Sequence, residues 1–184
     1  MTQYVALLRG INVGKAKRIA MADLRALFES LGYRRVQTLL NSGNICFEGP
    51  PAARVAQAQR ILAAVGGQLG VDTLVVVKSA TELAAVVAQN VFAAAATDKS
   101  RLLVAFTTDA RSLVALAPWA QAQWGAEQVH LGGCAAYLWC PQGILKSRAA
   151  VALLKALADA GTTRNWATVE KVHALLQDPA RAPV

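Results

Sequence analysis

Charge is scarce in this chain. Asp, Glu, Lys and Arg make up 16% of its 184 residues, against roughly 25% in ordinary soluble domains. Aromatic residues are scarce as well, at 6%, so the core has to be built from small and branched side chains with few large anchors. The three cysteines, Cys46, Cys134 and Cys140, form no C-x-x-C pair. An odd count with no export signal in view implies a reducing compartment and no disulfide framework. The two histidines, His130 and His173, fall on different expected elements. His130 and Cys134 can meet across a hairpin, but two ligands do not make a zinc site. No apolar run approaches the ~20 residues of a membrane span. The opening MTQYVALLRG lacks the basic region that precedes the apolar stretch of a signal peptide. These absences lead to the expectation of a cytoplasmic protein with no membrane association, no metal and no other cofactor.

What is abundant is apolar and basic. Hydrophobic residues reach 55% and the mean hydropathy is +0.35, which excludes a disordered chain. Nineteen Lys and Arg against eleven Asp and Glu leave a net charge of +8. The excess is concentrated between residues 9 and 35, where Arg9, Lys15, Lys17, Arg18, Arg25, Arg34 and Arg35 face only Asp23 and Glu29. Such a surface attracts phosphate-bearing ligands and polyanions. It also serves as an ordinary solvated face for an otherwise apolar protein.

Periodicity divides the chain into two similar halves. Tyr4 to Leu8 is a continuous apolar run, read as a buried strand. Met21, Leu24, Leu27, Phe28 and Leu31 follow at helical spacing, closed by Gly32. Two strands, 36–40 and 45–48, flank Asn41-Ser42-Gly43-Asn44 as a hairpin. Val55 to Val65 forms a second helix expected to end at Gly66-Gly67, and Val71 to Val77 a further strand. Ser79-Ala80-Thr81-Glu82 is a capping box that starts a connecting helix reaching about Asn90. The order then restarts. Arg101 to Phe106 reads as a strand, and Asp109 as the cap of a helix that Pro118 interrupts. Gln128–Leu131 and Ala135–Cys140 form a hairpin about Gly132-Gly133. Ser147 caps a helix to Ala160 closed by Gly161, Thr162–Asn165 is a short strand, and a last helix stops near Pro179. The reading is α+β: two tandem ferredoxin-like βαββαβ modules with antiparallel sheets and a C-terminal helix. Residues 1–78 form the first module, 79–100 a linking helix and loop, and 101–184 the second module with the tail helix.

The loop after the first strand, Gly10-Ile-Asn-Val-Gly14-Lys15-Ala16, resembles a phosphate loop without being one. A Walker A sequence has four residues between its glycines and Ser or Thr after the Lys; this loop has three, and then Ala16. Its glycines still let backbone N–H groups face an anion, with Arg9 and Lys15 adding charge. In a βαββαβ sheet the first two strands run the same way. That brings Arg9 and Asn12 to the same end of the sheet as Asn41, Ser42 and Asn44. The grouping contains no Asp, Glu or His, so it suits recognition better than acid–base chemistry. Asn and Ser also serve simple turn geometry. In the second half, Lys146-Ser147-Arg148 opens a helix, where an N-terminus beside cations invites an anion. Arg164 and Asn165 beside Trp166 offer a cation, an amide and a ring, although Trp166 equally suits packing of the tail helix.

Several separated segments together resemble the domain-of-unknown-function 1697 (DUF1697) family. They are Ala6-Leu-Leu-Arg9-Gly-Ile-Asn12-Val-Gly14, Met21-Ala-Asp-Leu-Arg25, Val36-Gln-Thr38 with Asn41-Ser42-Gly43-Asn44, Pro141-Gln-Gly143 before Ser147-Arg148, and Thr163-Arg164-Asn165-Trp166 with Thr168-Val169. The chain departs from the family pattern at Lys15, where a second Gly is frequent, and at Arg148, where Lys is usual. The resemblance implies two tandem ferredoxin-like modules and supplies no established activity, so no catalytic residue is carried across. The functional expectation is a module that binds a phosphate-bearing small molecule or nucleic acid through Arg9, Asn12, Ser42, Asn44, Ser147, Arg148, Arg164 and Asn165. The alternatives are an enzyme acting on a small anionic substrate, with Lys146 or Ser147 near the chemistry, and a protein-interaction module using its sheets.

Overall fold

The computed structural model describes residues 1–14 and 17–178. Lys15, Ala16 and Pro179, named above, lie outside the described residues. The chain divides into two compact units. One comprises Met1–Thr81 together with the chain from Val172, and the other Glu82–Lys171. The segment expected as a link thus groups with the second unit from Glu82 onward, and the later part of the last helix groups with the first.

In the first unit, β1 (Thr2–Leu8), α1 (Met21–Ser30), β2 (Arg34–Leu39), β3 (Asn44–Gly49), α2 (Arg54–Leu69) and β4 (Val75–Ser79) follow in order. The sheet order is β2-β3-β1-β4, and every neighbouring pair is antiparallel. The continuous apolar run of β1 is explained by burial on both faces. Tyr4, Ala6 and Leu8 join Ile45, Phe47, Val75 and Val77 in a core with Leu24, Leu27 and Phe28 of α1 and Ile61 and Val65 of α2. Four aromatic residues, Tyr4, Phe28, Tyr33 and Phe47, meet in this core: Phe47 lies edge-on to Phe28 at 5.3 Å and stacks on Tyr4 at 5.5 Å. Such pairs add roughly 0.5–1.5 kcal/mol each beyond area burial. The other face of the sheet carries Val5, Leu7, Cys46, Val76 and Lys78, all buried. Burial pushes the Cys46 thiol up to about 12.

In the first unit, the end of α2 and the start of β4 differ from the sequence reading. Helix α2 continues through Gly66 and Gly67 and stops at Gly70, whose φ of +65° supplies the left-handed cap. A glycine pair without a left-handed residue does not end a helix. The stretch expected as a strand from Val71 enters the sheet only at Val75, and Thr73 first bonds the carbonyl of Arg9 at 2.8 Å.

The second unit contains most of α3 (Ala80–Ala88), then β5 (Leu102–Thr107), α4 (Ala110–Val114), α5 (Ala117–Gln121), β6 (Gln128–Leu131), β7 (Ala136–Trp139), α6 (Arg148–Leu157), β8 (Gly161–Asn165) and the start of α7 (Trp166–Gln177). Asp109 Oδ1 accepts from the Ser112 N–H at 2.7 Å, which caps α4 and holds the carboxyl below its usual range. Pro118 stands at the start of α5, separating the two short helices. The sheet order β6-β7-β5-β8 repeats that of the first unit, again wholly antiparallel.

The repeat extends to single bonds. The Arg9 N–H donates to Leu74 O at 2.9 Å just beyond β1, and the Thr108 N–H donates to Ala160 O at 2.9 Å just beyond β5. Lys78 pairs with Val5, and Arg164 pairs with Val104, so one buried cation occupies the same place in each outer strand. Both outer strands then run straight into a helix, β4 into α3 and β8 into α7.

Gly161, expected to close α6, instead opens β8, and α6 ends earlier at Leu157. A Cβ at Gly161 would lie 2.5 Å from Phe106 O and 2.6 Å from Leu157 Cδ2. A Cβ at Gly67 would meet nothing within 4 Å. Gly161→Ala is therefore expected to destabilise the protein by about 2 kcal/mol through overpacking. Gly67→Ala is expected to stabilise it by about 0.5–1 kcal/mol through helix propensity. Urea unfolding of the two variants, measured side by side, checks both the sign and the size.

Candidate functional site

The loop leaving β1 and the turn between β2 and β3 come together at one end of the first sheet. Gly10, Asn12 and Gly14 all have positive φ, so the loop coils tightly before turning back. Asn12 holds it closed. Its Nδ2 donates to Ile19 O and to Asn41 O, both at 2.9 Å, and its Oδ1 accepts from the Ile19 N–H at 2.9 Å. Both amide hydrogens of Asn12 are thereby engaged within the chain. In the adjoining turn, Asn44 is fully buried and donates from Nδ2 to Leu39 O at 2.9 Å and Ser42 Oγ at 3.1 Å. Gly43 has φ +77°, and a Cβ there would lie 2.8 Å from Leu8 Cβ. Arg9 is half-buried, and its backbone is tied to Leu74 and Thr73, just before β4. Arg9, Asn12, Ser42 and Asn44 do lie on these two adjoining loops, and Asn12 and Asn44 are used to build them.

The same loops border an open hollow of about 350 Å³, lined by Asn12, Arg18, Ile19, Ala20, Met21 and Asn41. Helix α1 begins in it. The residue at its N-cap is Ala20, which has no side-chain acceptor to offer. The first-turn N–H groups of a helix have no partner of their own and carry its partial positive charge. Arg18 and Asn41 are exposed at the rim. Neither stood among the eight expected binding residues. The signal available in the sequence was the lack of Ser, Thr, Asp or Asn immediately before Met21.

The N-terminus of α6 has the opposite character. Ser147 Oγ accepts from the Ala150 N–H at 2.8 Å, as the sequence suggests. The anion that the cation-flanked end was expected to recruit is provided by the protein itself. Glu127 Oε2 accepts from Ser147 Oγ at 3.0 Å and from the Ala149 N–H at 2.8 Å, and Oε1 accepts from the Arg148 N–H at 3.2 Å. Ser147 is buried, while Lys146 and Arg148 are exposed. Glu127 precedes this helix by some twenty residues, so no local motif announces the pairing. Nearby Cys140 is buried, and desolvation raises its pKa.

Arg164 and Trp166 are buried, and Asn165 between them is half-buried. The Arg164 guanidinium donates to Thr162 Oγ1 at 3.0 Å and Thr163 O at 2.8 Å, and burial draws its pKa down to about 10. Asn165 Oδ1 accepts from the Thr168 N–H at 2.9 Å and Thr168 Oγ1 at 2.7 Å, which caps α7. Trp166 is buried and presents no platform for a base. His130 lies against Phe92 and Tyr137. Among the described residues no group of three or more His, Cys, Asp or Glu is placed to hold a metal ion. No helix among them is long and apolar enough to cross a membrane.

The model of the family described as "Protein of unknown function (DUF1697)" matches residues 1–137, which contain both sheet-end loops and the hollow. The chain belongs to the DUF1697 family. It is similar to the solved structure of conserved bacterial protein SP0830 from Streptococcus pneumoniae, with 26% identity and a TM-score of 0.77 over 96% of this chain and 99% of that one. No curated protein matches it.

In this DUF1697 protein, Asn12 and Glu127 organise the two loop regions that the sequence singles out. Asn12→Ala removes three side-chain bonds at a residue with φ +56° and is expected to cost about 2 kcal/mol. Glu127→Ala strips the helix end of its acceptor and is expected to cost about 1–2 kcal/mol, with Glu127→Gln in between. Equilibrium denaturation of the three variants measures these losses.

Proposed function

We propose that this protein binds a small phosphate-bearing ligand in the hollow at the start of α1. The observation that supports this reading is the helix end with no side-chain cap, opening between Arg18, Asn12 and Asn41. Backbone N–H groups with a positive partial charge, an arginine at the rim and an amide-built wall are the parts of an anion site. Asp23 in the first turn opposes an anion, whereas the exposed Lys17 and Arg18 favour it. Arg9, Ser42 and Asn44 shape the two loops, and Asn12 fixes their separation. The hollow has the volume of a small-molecule site and no aromatic side chain lines it, which supports a small molecule over a single-stranded nucleic acid, whose bases need stacking partners. In this reading each sheet with its helices is a ferredoxin-like module, and the protein works in the cytoplasm, in keeping with its three cysteines outside any C-x-x-C pattern.

Calorimetric titration and thermal shift with inorganic phosphate and ribose 5-phosphate test the proposal. Both ligands should raise the melting temperature, since they bind the native state alone, and added salt should weaken them. Arg18→Ala should reduce affinity about tenfold by removing a charge-assisted hydrogen bond while changing stability by no more than about 0.5 kcal/mol. Unchanged affinity in Arg18→Ala, or tighter binding of a short oligonucleotide than of either phosphate, would overturn it.

A further inference from the structure

The outer face of α6 carries apolar side chains that the fold does not use. The inner face is complete: Ala149, Ala150, Leu153 and Leu157 join the core of the second unit, with Ile144 packed against it. On the outer face Val151 is 65% exposed and Leu154 40%. Leu145, on the short turn Ile144–Lys146 that leads into the helix, is fully exposed. A helix on the surface of a globular protein ordinarily turns charged and polar residues outward. Helix α1, of the same length, does so with Asp23, Arg25, Glu29 and Ser30.

The charges beside these side chains are of one sign. Between Ile144 and Ala158 stand Lys146, Arg148 and Lys155, all exposed, and no Asp or Glu; the first acid beyond is Asp159. Glu127, brought to the start of the helix, has both carboxylate oxygens engaged by Ser147 and the first N–H groups. At 100° per residue, Arg148, Val151, Leu154 and Lys155 fall within an arc of about 120°. Val151 is a surface neighbour of the other three, at spacings of three or four residues. Cations and apolar groups thus share one stripe instead of lying on opposite sides of the helix.

A second copy of the chain is a poor occupant, because a two-fold pairing through this face would set Lys146, Arg148 and Lys155 against the same three cations. A partner has to be apolar and anionic together, and it has to receive a ridge, since the fully exposed Leu145 stands clear of the fold. An anionic bilayer surface meets these conditions. Its headgroups take the ammonium and guanidinium groups, and its acyl boundary takes the leucines and the valine, with the lysine stems lying along the interface. We infer that this protein docks peripherally on an anionic lipid surface through Leu145, Val151 and Leu154, flanked by Lys146, Arg148 and Lys155. Such docking needs no helix able to cross a bilayer, the feature whose absence led to the expectation of no membrane association. It uses no residue of the phosphate hollow and is independent of it.

Co-sedimentation of the full chain with phosphatidylglycerol vesicles, and in parallel with phosphatidylcholine vesicles, tests this. Binding to the anionic vesicles is expected, weakening as salt is added, with little binding to the neutral ones. Leu145 is fully exposed, so Leu145→Ser leaves the fold unchanged, yet it should weaken vesicle binding roughly tenfold by removing a side chain that enters the lipid. Lys155→Ala should weaken it about fivefold, the effect of one cation at an anionic surface. Arg18→Ala should leave vesicle binding unaltered, and Leu145→Ser should leave the binding of ribose 5-phosphate unaltered. Failure to co-sediment with phosphatidylglycerol would overturn the inference. So would equal binding to both lipids, an affinity unmoved by Leu145→Ser, or equal losses in Arg18→Ala and Lys155→Ala, which would mark the attraction as one of overall charge. A soluble dimer that Leu145→Ser dissociates would overturn it too, by assigning the face to a second copy.

Discussion

Central strands buried on both faces govern how polar residues are used here. Every residue from Tyr4 to Leu8 of β1 and from Leu102 to Thr107 of β5 is buried. Any backbone or side-chain polar group near such strands must find a partner inside the protein, since an unmet buried group costs about 1–3 kcal/mol. Asn44 next to β1 and Arg164 next to β5 meet that demand through side-chain to backbone bonds. Asn12 does the same for the loop that follows β1. Many of the residues with the most obvious recognition chemistry are therefore already occupied in maintaining the fold.

Much of the architecture was legible, because it depends on local signals. The alternation of strand and helix, the two hairpins, the caps at Asp109 and Ser147 and the break at Pro118 each follow from a few adjacent residues. Boundaries were missed where a glycine had two possible roles. Gly66 and Gly67 adopt ordinary helical geometry, while Gly70 takes the left-handed one. Gly161 is required by closeness to Phe106 and Leu157, a contact between elements that neither local pattern reveals. The meeting of the two loops was legible; the use of their side chains was not. Strand direction placed the two loops at one end of the sheet, where they lie, but the polarity of a side chain does not disclose whether it faces a ligand or a neighbouring carbonyl. Glu127 escaped notice because its partners lie in another element.

Helices α1 and α6, of ten residues each, show how one physical feature is met in two different ways. At α6 the partial positive charge is met by Ser147 and a carboxylate brought from β6's approach. At α1 it is preceded by alanine and bordered by arginine. A carboxylate occupies the helix end in the first case; in the second the residue before the helix offers no side-chain acceptor. The difference lies in two or three side chains on otherwise similar backbones.

The direct joins of β4 to α3 and of β8 to α7 leave no residues to absorb a change in length. At the second join, Asn165 is both the last strand residue and the helix cap. Adding one residue there would turn the whole of α7 by about 100°, carrying Trp166, Val169, Val172 and Leu176 off the stripe they now occupy. Substitutions in this stretch alter one contact each, whereas an insertion alters them all. Variation in length should accordingly collect in the loops at the opposite ends of the strands, and these junctions should keep a fixed count of residues as the sequence around them diverges.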